Sequence, residues 1–372
     1  MESLKRKHKI IIFLFSIISF SLSITISSNY TFEPAFVKKA DLNCYDYNKK
    51  IPLSDKMCDH REFLNSSSGD SIHYFMIAMG KDDLSHIPYT YRLLVPKSLG
   101  LISKISLSDK INDSNYNDLL FKRISQFVRL LNFVSCFLLI FIPFYHFKEY
   151  FYEKNLSSIF YLITLMNVVN IGVLMTVPFF MLDIPTYVLF TLAASLFFRT
   201  KILGLFILIC IGIFLKQIVM VLLIPLWYLI LRNTKQNLLI KTFVGFFPVV
   251  LFLTSRYLIS GELTNQGQLG YDFAENPFEF HYLKVHLFNE HGGIFNFLAR
   301  VFFSIGFISI ITIYLYFILK RNTEFFLVVI LLSISIVTLN LLLASGVLRV
   351  VQVASPFLVF YCLHVLSAKE AT

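Results

Sequence analysis

Read along the chain, hydrophobic and polar positions fall into long apolar blocks separated by short polar breaks. The first block, "KIIIFLFSIISFSLSITIS" (Lys9 to Ser27), follows the basic start "MESLKRKHK". It is long for a signal-peptide core and no small-x-small cleavage site follows, so it reads as an uncleaved helix. A polar segment of roughly 90 residues comes next, too long for a tight connection. From about Lys122 to Leu366 the chain is apolar again. At about 20 residues per crossing, its breaks predict nine further spans: Ile124–Phe147, Ser157–Phe180, Pro185–Phe198, Ile202–Leu215, Ile218–Leu231, Leu238–Ile259, Phe295–Leu319, Phe325–Ala344 and Val350–Leu366. Several are short, as expected of tilted, re-entrant or paired segments. The fold class expected is an all-α polytopic membrane protein of about ten helices. It forms one membrane domain over residues 1–372, with outer loops at 28–121 and 260–293. Within the first loop, Ser71–Met79 and part of Tyr91–Ile105 alternate apolar and polar residues as short surface helices do.

Composition agrees with a membrane setting. The 372 residues are 56% hydrophobic and only 15% charged, with a mean hydropathy of +0.68; soluble chains are nearer ~25% charged. The net charge of +10 is explained by cytoplasmic loops rich in Lys and Arg. No basic run interleaved with aromatics suggests nucleic acid. The breaks "FKEYFYEKN", "FRTK", "LRNTKQN" and "LKRN" and the tail "SAKEAT" carry the basic residues and read as inner. "MLDIP", the segment 260–293 and "SGVLR" read as outer. Asp70, Tyr74, Arg92 and Asp183 then lie on the outer side.

Charged residues at a membrane edge are costly and draw the eye. Asp183, in "FFMLDIPTYVLF", caps a helix starting at Pro185, points into a site, or does both. Asp70 has the same two readings ahead of Ser71–Met79. Lys216 interrupts "GIFLKQIVMVLLIP" where no inner loop is due. Arg256, Arg300 and Arg349 approach the outer face. Singly, such cations snorkel to headgroups. Together, on a face that also carries two acids, they suit an anion such as a lipid phosphate or diphosphate.

The order of these parts resembles the membrane glycosyltransferases of the GT-C superfamily, and most of all a large bacterial group of sugar transferases. The letters that carry the resemblance are "GDSIHYFMIAMG" followed by "PYTYRLLVP" in the first outer loop. With them go an outer-edge acid before a helix (Asp183), the pair Lys216–Gln217, and a final span with "RVVQVASP". Layout is matched over most of the chain, letters over only four short motifs. Gln217 stands where the group usually has an acid, so that carboxylate's role does not carry over.

The resemblance implies a polyprenyl-phosphate or diphosphate sugar donor and inversion at the anomeric carbon. It implies Asp70 as general base on the acceptor hydroxyl, with Asp183 as the second catalytic acid. Tyr74, Arg92, Lys216, Arg256 and Arg349 would shape and charge the substrate cavity. Donor, acceptor glycan, lipid or protein, and membrane lipids are the partners implied, and a bacterial inner membrane is the location. A divalent cation, Mg²⁺ or Mn²⁺, is the cofactor that two acids facing a diphosphate could hold; the sequence assigns no metal ligand. A lipid-linked glycan polymerase or ligase, and a polytopic transporter or flippase, are the alternatives. Cys44 and Cys58 share the outer segment, where a disulfide is chemically permitted. Cys136, Cys210 and Cys362 fall in spans as small apolar residues.

Overall fold

Proline punctuates this chain. Pro96, Pro185, Pro225 and Pro356 each fall second or third in a helix, where the missing N–H costs nothing and the fixed φ favours a helical start. The computed structural model describes residues 69–80, 93–110, 116–150, 157–168, 182–233, 237–260, 293–319, 323–343 and 352–370, with residues 10, 13, 14, 16–18, 21, 45–46 and 51–52. The described elements are nearly all helical. They are α1 (Gly69–Met79), α2 (Leu94–Ile105), α3 (Tyr116–His146), α4 (Ser157–Leu165), α5 (Asp183–Phe198), α6 (Ile202–Gly212), α7 (Leu223–Arg232), α8 (Leu238–Ser260), α9 (Ile294–Ile305), α10 (Ile308–Leu319), α11 (Thr323–Leu343) and α12 (Ser355–Glu370). A two-residue antiparallel pairing, Tyr45–Asp46 with Ile51–Pro52, is the exception among them.

Two stretches, Lys122–His146 and Leu238–Leu258, are long and apolar enough to cross a membrane. Six shorter apolar helices accompany them. Large apolar side chains such as Leu239 on α8, Phe295 on α9 and Phe317 on α10 lie exposed. Water-soluble monomers rarely keep apolar surface on that scale.

The expected spans map onto these helices with instructive differences. The span Phe295–Leu319 is two helices, α9 and α10, broken at Gly306, whose φ of +78° favours glycine. The adjacent short spans Ile202–Leu215 and Ile218–Leu231 form a hairpin. α6 stops at Gly212, the backbone is extended at Lys216, and a 3-10 segment, Gln217–Leu222, leads into α7. Pro225 explains why α7 does not begin earlier: it cannot donate to the Val221 carbonyl and its ring crowds that oxygen.

α5 is the central element, packed against α3, α6 and α12. Its two ends define the two ends of the bundle. α12 runs alongside it in the same direction, as ring contacts show: Phe190 with Phe357, then Phe198 with Phe360 and with His364. α3 also runs in this direction: Asn167 bridges the Leu139 carbonyl and Thr191, and further along His146 meets Ser195 near the end of α5.

α1 and α2 form a tight pair that also packs on α3. Gly100 lies so close to the Ala78 carbonyl that a Cβ there would come within 1.9 Å of its oxygen. α2 buries Pro96, Leu99, Gly100 and Ser103. It leaves Leu94, Leu101, Ile102 and Ile105 exposed. The expected helices at Ser71–Met79 and within Tyr91–Ile105 are therefore present, as Gly69–Met79 and Leu94–Ile105.

Candidate functional site

The polar group that stands out sits at the start of α5. The Leu182 carbonyl accepts the first intrahelical bond, from Thr186 N–H. Leu182 is thus the N-cap, it makes no side-chain cap bond, and Asp183 is the first helical residue. The sequence left open whether Asp183 caps the helix from Pro185 or points elsewhere. Its carboxylate is ion-paired with Lys216 Nζ, with 6% of the Asp183 side chain and 14% of the Lys216 side chain exposed. Position favours the acid doubly: the positive end of the α5 dipole and an ammonium both face it.

Lys216 reaches this point because of the hairpin break. Gly212 allows it. A Cβ at Gly212 would lie 2.7 Å from both Leu189 Cδ1 on α5 and Val219 Cγ1, so a larger residue would hold the hairpin tip away from α5. Lys216 N–H bonds back to the Gly212 carbonyl at 3.0 Å before the chain extends.

The first-loop pair is tied to the same break. Leu94 N–H, at the start of α2, donates to the Phe214 carbonyl at 3.2 Å. Phe214 is two residues from Lys216. The helix carrying Asp70 and Tyr74 therefore packs on an element anchored beside the ion pair. Tyr74 is buried within the core, at 2% exposure. Asp70 lies in the first turn of α1; its side chain is outside the described residues. Arg92 and Arg349 lie outside them altogether, as do Cys44 and Cys58. Arg256 is on α8, its guanidinium 4.5 Å from the centre of its own helix's Phe252 ring. Of the expected site residues, the described ones brought together are Asp183 and Lys216.

Two amides, neither of them assigned a role from the sequence, join this end. Gln217 Nε2 and both amide atoms of Gln352 are buried without hydrogen-bond partners among the described residues. The signal was present: a lone glutamine in "RVVQVASP" is an expensive residue in an apolar run.

At the other end of α5 a second polar cluster forms. Arg199 Nε donates to His146 Nδ1 at 3.2 Å, and Ser195 Oγ lies 2.9 Å from the same nitrogen. Nδ1 therefore carries no proton in this arrangement. Nearby, Tyr228 OH donates to Glu324 at 2.7 Å and Arg232 lies 3.5 Å from the same carboxylate, both charged side chains being exposed.

No group of three or more His, Cys, Asp or Glu residues able to hold a metal occurs among the described residues. No family model matches the chain, and no match is found among curated proteins or solved structures.

Proposed function

We propose that the chain is an inverting glycosyltransferase working at the outer face of a bacterial plasma membrane. It would move a sugar from a polyprenyl-phosphate-linked donor to an acceptor glycan, lipid or protein. Asp70 is the general base in this reading. The observation that carries it is the buried Asp183–Lys216 pair at the end of the bundle to which α1 and α2 are anchored.

The chemistry follows from what such a transfer needs. An acceptor hydroxyl attacks the anomeric carbon well only as a positioned carboxylate takes its proton. The bond from that carbon to the donor phosphate breaks, and the phosphate leaves with the electron pair. A cation must meet the charge that develops there. Lys216 is that cation in this reading, held in place by Asp183 until the donor arrives. The donor's lipid tail stays in the bilayer, so base and cation have to meet at the membrane edge. Arg92, Arg256 and Arg349 are proposed to complete the phosphate site, and Tyr74 to wall it. Asp70 and Asp183 would supply oxygen ligands if Mg²⁺ or Mn²⁺ assists at the donor phosphate.

Asp70→Asn tests the assignment. Asparagine caps a helix about as well as aspartate, so a capping role predicts normal turnover. Loss of transfer from polyprenyl-phosphate sugars in a normally folded Asn variant supports the base, and wild-type turnover sinks it.

One observation favours a second reading, a transporter or flippase. The irregular backbone at Lys216, extended beside a buried acid between α6 and α7, is the kind of non-helical segment that transporters use to bind solutes. Solute accumulation or lipid translocation in sealed vesicles, without sugar transfer, would select it. A glycan polymerase or ligase would show transfer to a growing chain instead.

A further inference from the structure

The start of α12 presents a cost without a visible return. Gln352 opens a short 3-10 segment, Gln352–Ala354, and is fully buried at 0% exposure. Neither its Nε2 nor its Oε1 has a hydrogen-bond partner among the described residues. The backbone here is well anchored, since Ser355 Oγ donates to the Ile305 carbonyl at 3.2 Å. An isosteric apolar residue would fill the same space without the penalty of two unpaired buried atoms.

Its level in the bundle is fixed by α12 running parallel to α5. Phe357 meets Phe190. Counting back from that contact at helical rise puts Gln352 within about one turn of Asp183. The Gln352–Ala354 segment packs against both α5 and α11, and so does the Gln217–Leu222 segment that follows Lys216. Gln217 Nε2 is likewise buried and unpaired among the described residues. One ion pair and three unsatisfied amide atoms thus gather at one end of α5.

We propose that Gln352 is a specificity-determining residue that reads a sugar hydroxyl of the ligand held at Asp183 and Lys216. The amide offers one donor group and one acceptor side by side. A phosphate oxygen only accepts and would leave Oε1 unpaired, whereas a hydroxyl donates and accepts at once. Phosphate therefore belongs to Lys216, and the hydroxyl-bearing part of the ligand to Gln352, with Gln217 as a second donor. This assignment rests on the glycosyltransferase reading above. It goes beyond it in naming the group that recognises the sugar, a part Asp70, Asp183 and the cations do not supply.

The test uses the full chain in detergent, melted alone, with farnesyl phosphate, and with a panel of farnesyl-phosphoryl hexoses and pentoses. Wild type and Gln352→Met are compared. Methionine keeps the length and drops both hydrogen-bonding atoms. The expected result has three parts. The ligand-free variant melts at or above wild type, by roughly 2 °C for a relieved unpaired group. Farnesyl phosphate shifts both proteins equally. At least one sugar-bearing lipid gives wild type an additional shift that the variant lacks, with binding weakened at least about tenfold. A sugar-dependent shift kept in full by Gln352→Met overturns the assignment and leaves the transferase reading standing. No sugar-dependent shift in wild type with any member of the panel overturns both. A variant that melts lower, or does not fold, shows that an internal water or a protein group already satisfies the amide, and that also overturns it.

Discussion

Asp183 on α5 and Lys216 in the hairpin break form a buried ion pair that joins two segments 33 residues apart in sequence. Removing one partner of such a pair leaves a charge stranded, typically at ~3–5 kcal/mol, whereas removing both is far milder. Lys216→Met alone and Asp183→Asn alone are therefore expected to lower the melting temperature clearly. The double variant should recover much of the loss. A double-mutant cycle by thermal melting checks this, and additive losses would mean that the two groups do not depend on each other.

The second ion pair predicts the opposite. Arg232 and Glu324 are both more than half exposed, at 54% and 67%. Exposed pairs contribute about 0–1 kcal/mol, so Glu324→Gln should change stability by less than about 1 kcal/mol. Melting Glu324→Gln beside Asp183→Asn under identical conditions makes the contrast direct. Equal losses would contradict the difference in burial.

Gly100 sets how closely α1 and α2 approach. A Cβ there would meet the Ala78 carbonyl oxygen at 1.9 Å, a backbone atom that cannot swing aside. Gly100→Ala is expected to part the two helices at a cost of roughly 1–3 kcal/mol. Hydrogen exchange should show loss of protection in Gly69–Met79 and Leu94–Ile105 while α5 and α12 stay protected. Unchanged exchange in both helices would refute the close crossing.

The chain's single tryptophan reports on the apolar surface. Trp227 donates from Nε1 to the Gly245 carbonyl at 2.9 Å and leaves 42% of its surface exposed. If the outward apolar faces meet lipid, brominated acyl chains should quench its fluorescence and aqueous iodide should not. Quenching by iodide alone would remove α7 from the bilayer.

Much of the helical layout was legible in the residues, because apolar blocks and first-turn prolines are local signals. "DIPTYVLF" announces α5 through Asp183 and Pro185, and the alternation within Tyr91–Ile105 announces a short helix there; each depends on a neighbouring few residues. The shortness of Ile202–Leu215 and Ile218–Leu231 left tilted, re-entrant and paired arrangements open, and the structure selects the paired one. The break at Gly306 was not read from Phe295–Leu319, since an unbroken apolar run does not say where a single glycine will turn the chain.

What only the tertiary structure decided is who meets whom. Sequence placed Asp183 and Lys216 at the same membrane edge but gave neither a partner. Their pairing needs the hairpin to fold back onto α5 at Gly212, a contact set by packing between distant segments. It likewise took the parallel run of α12 along α5 to bring Gln352 level with Asp183. Hydrophobic periodicity records which residues leave water; it holds no information on which buried polar groups then come to the same level of the bundle, because that depends on helix directions and crossings fixed by the whole bundle.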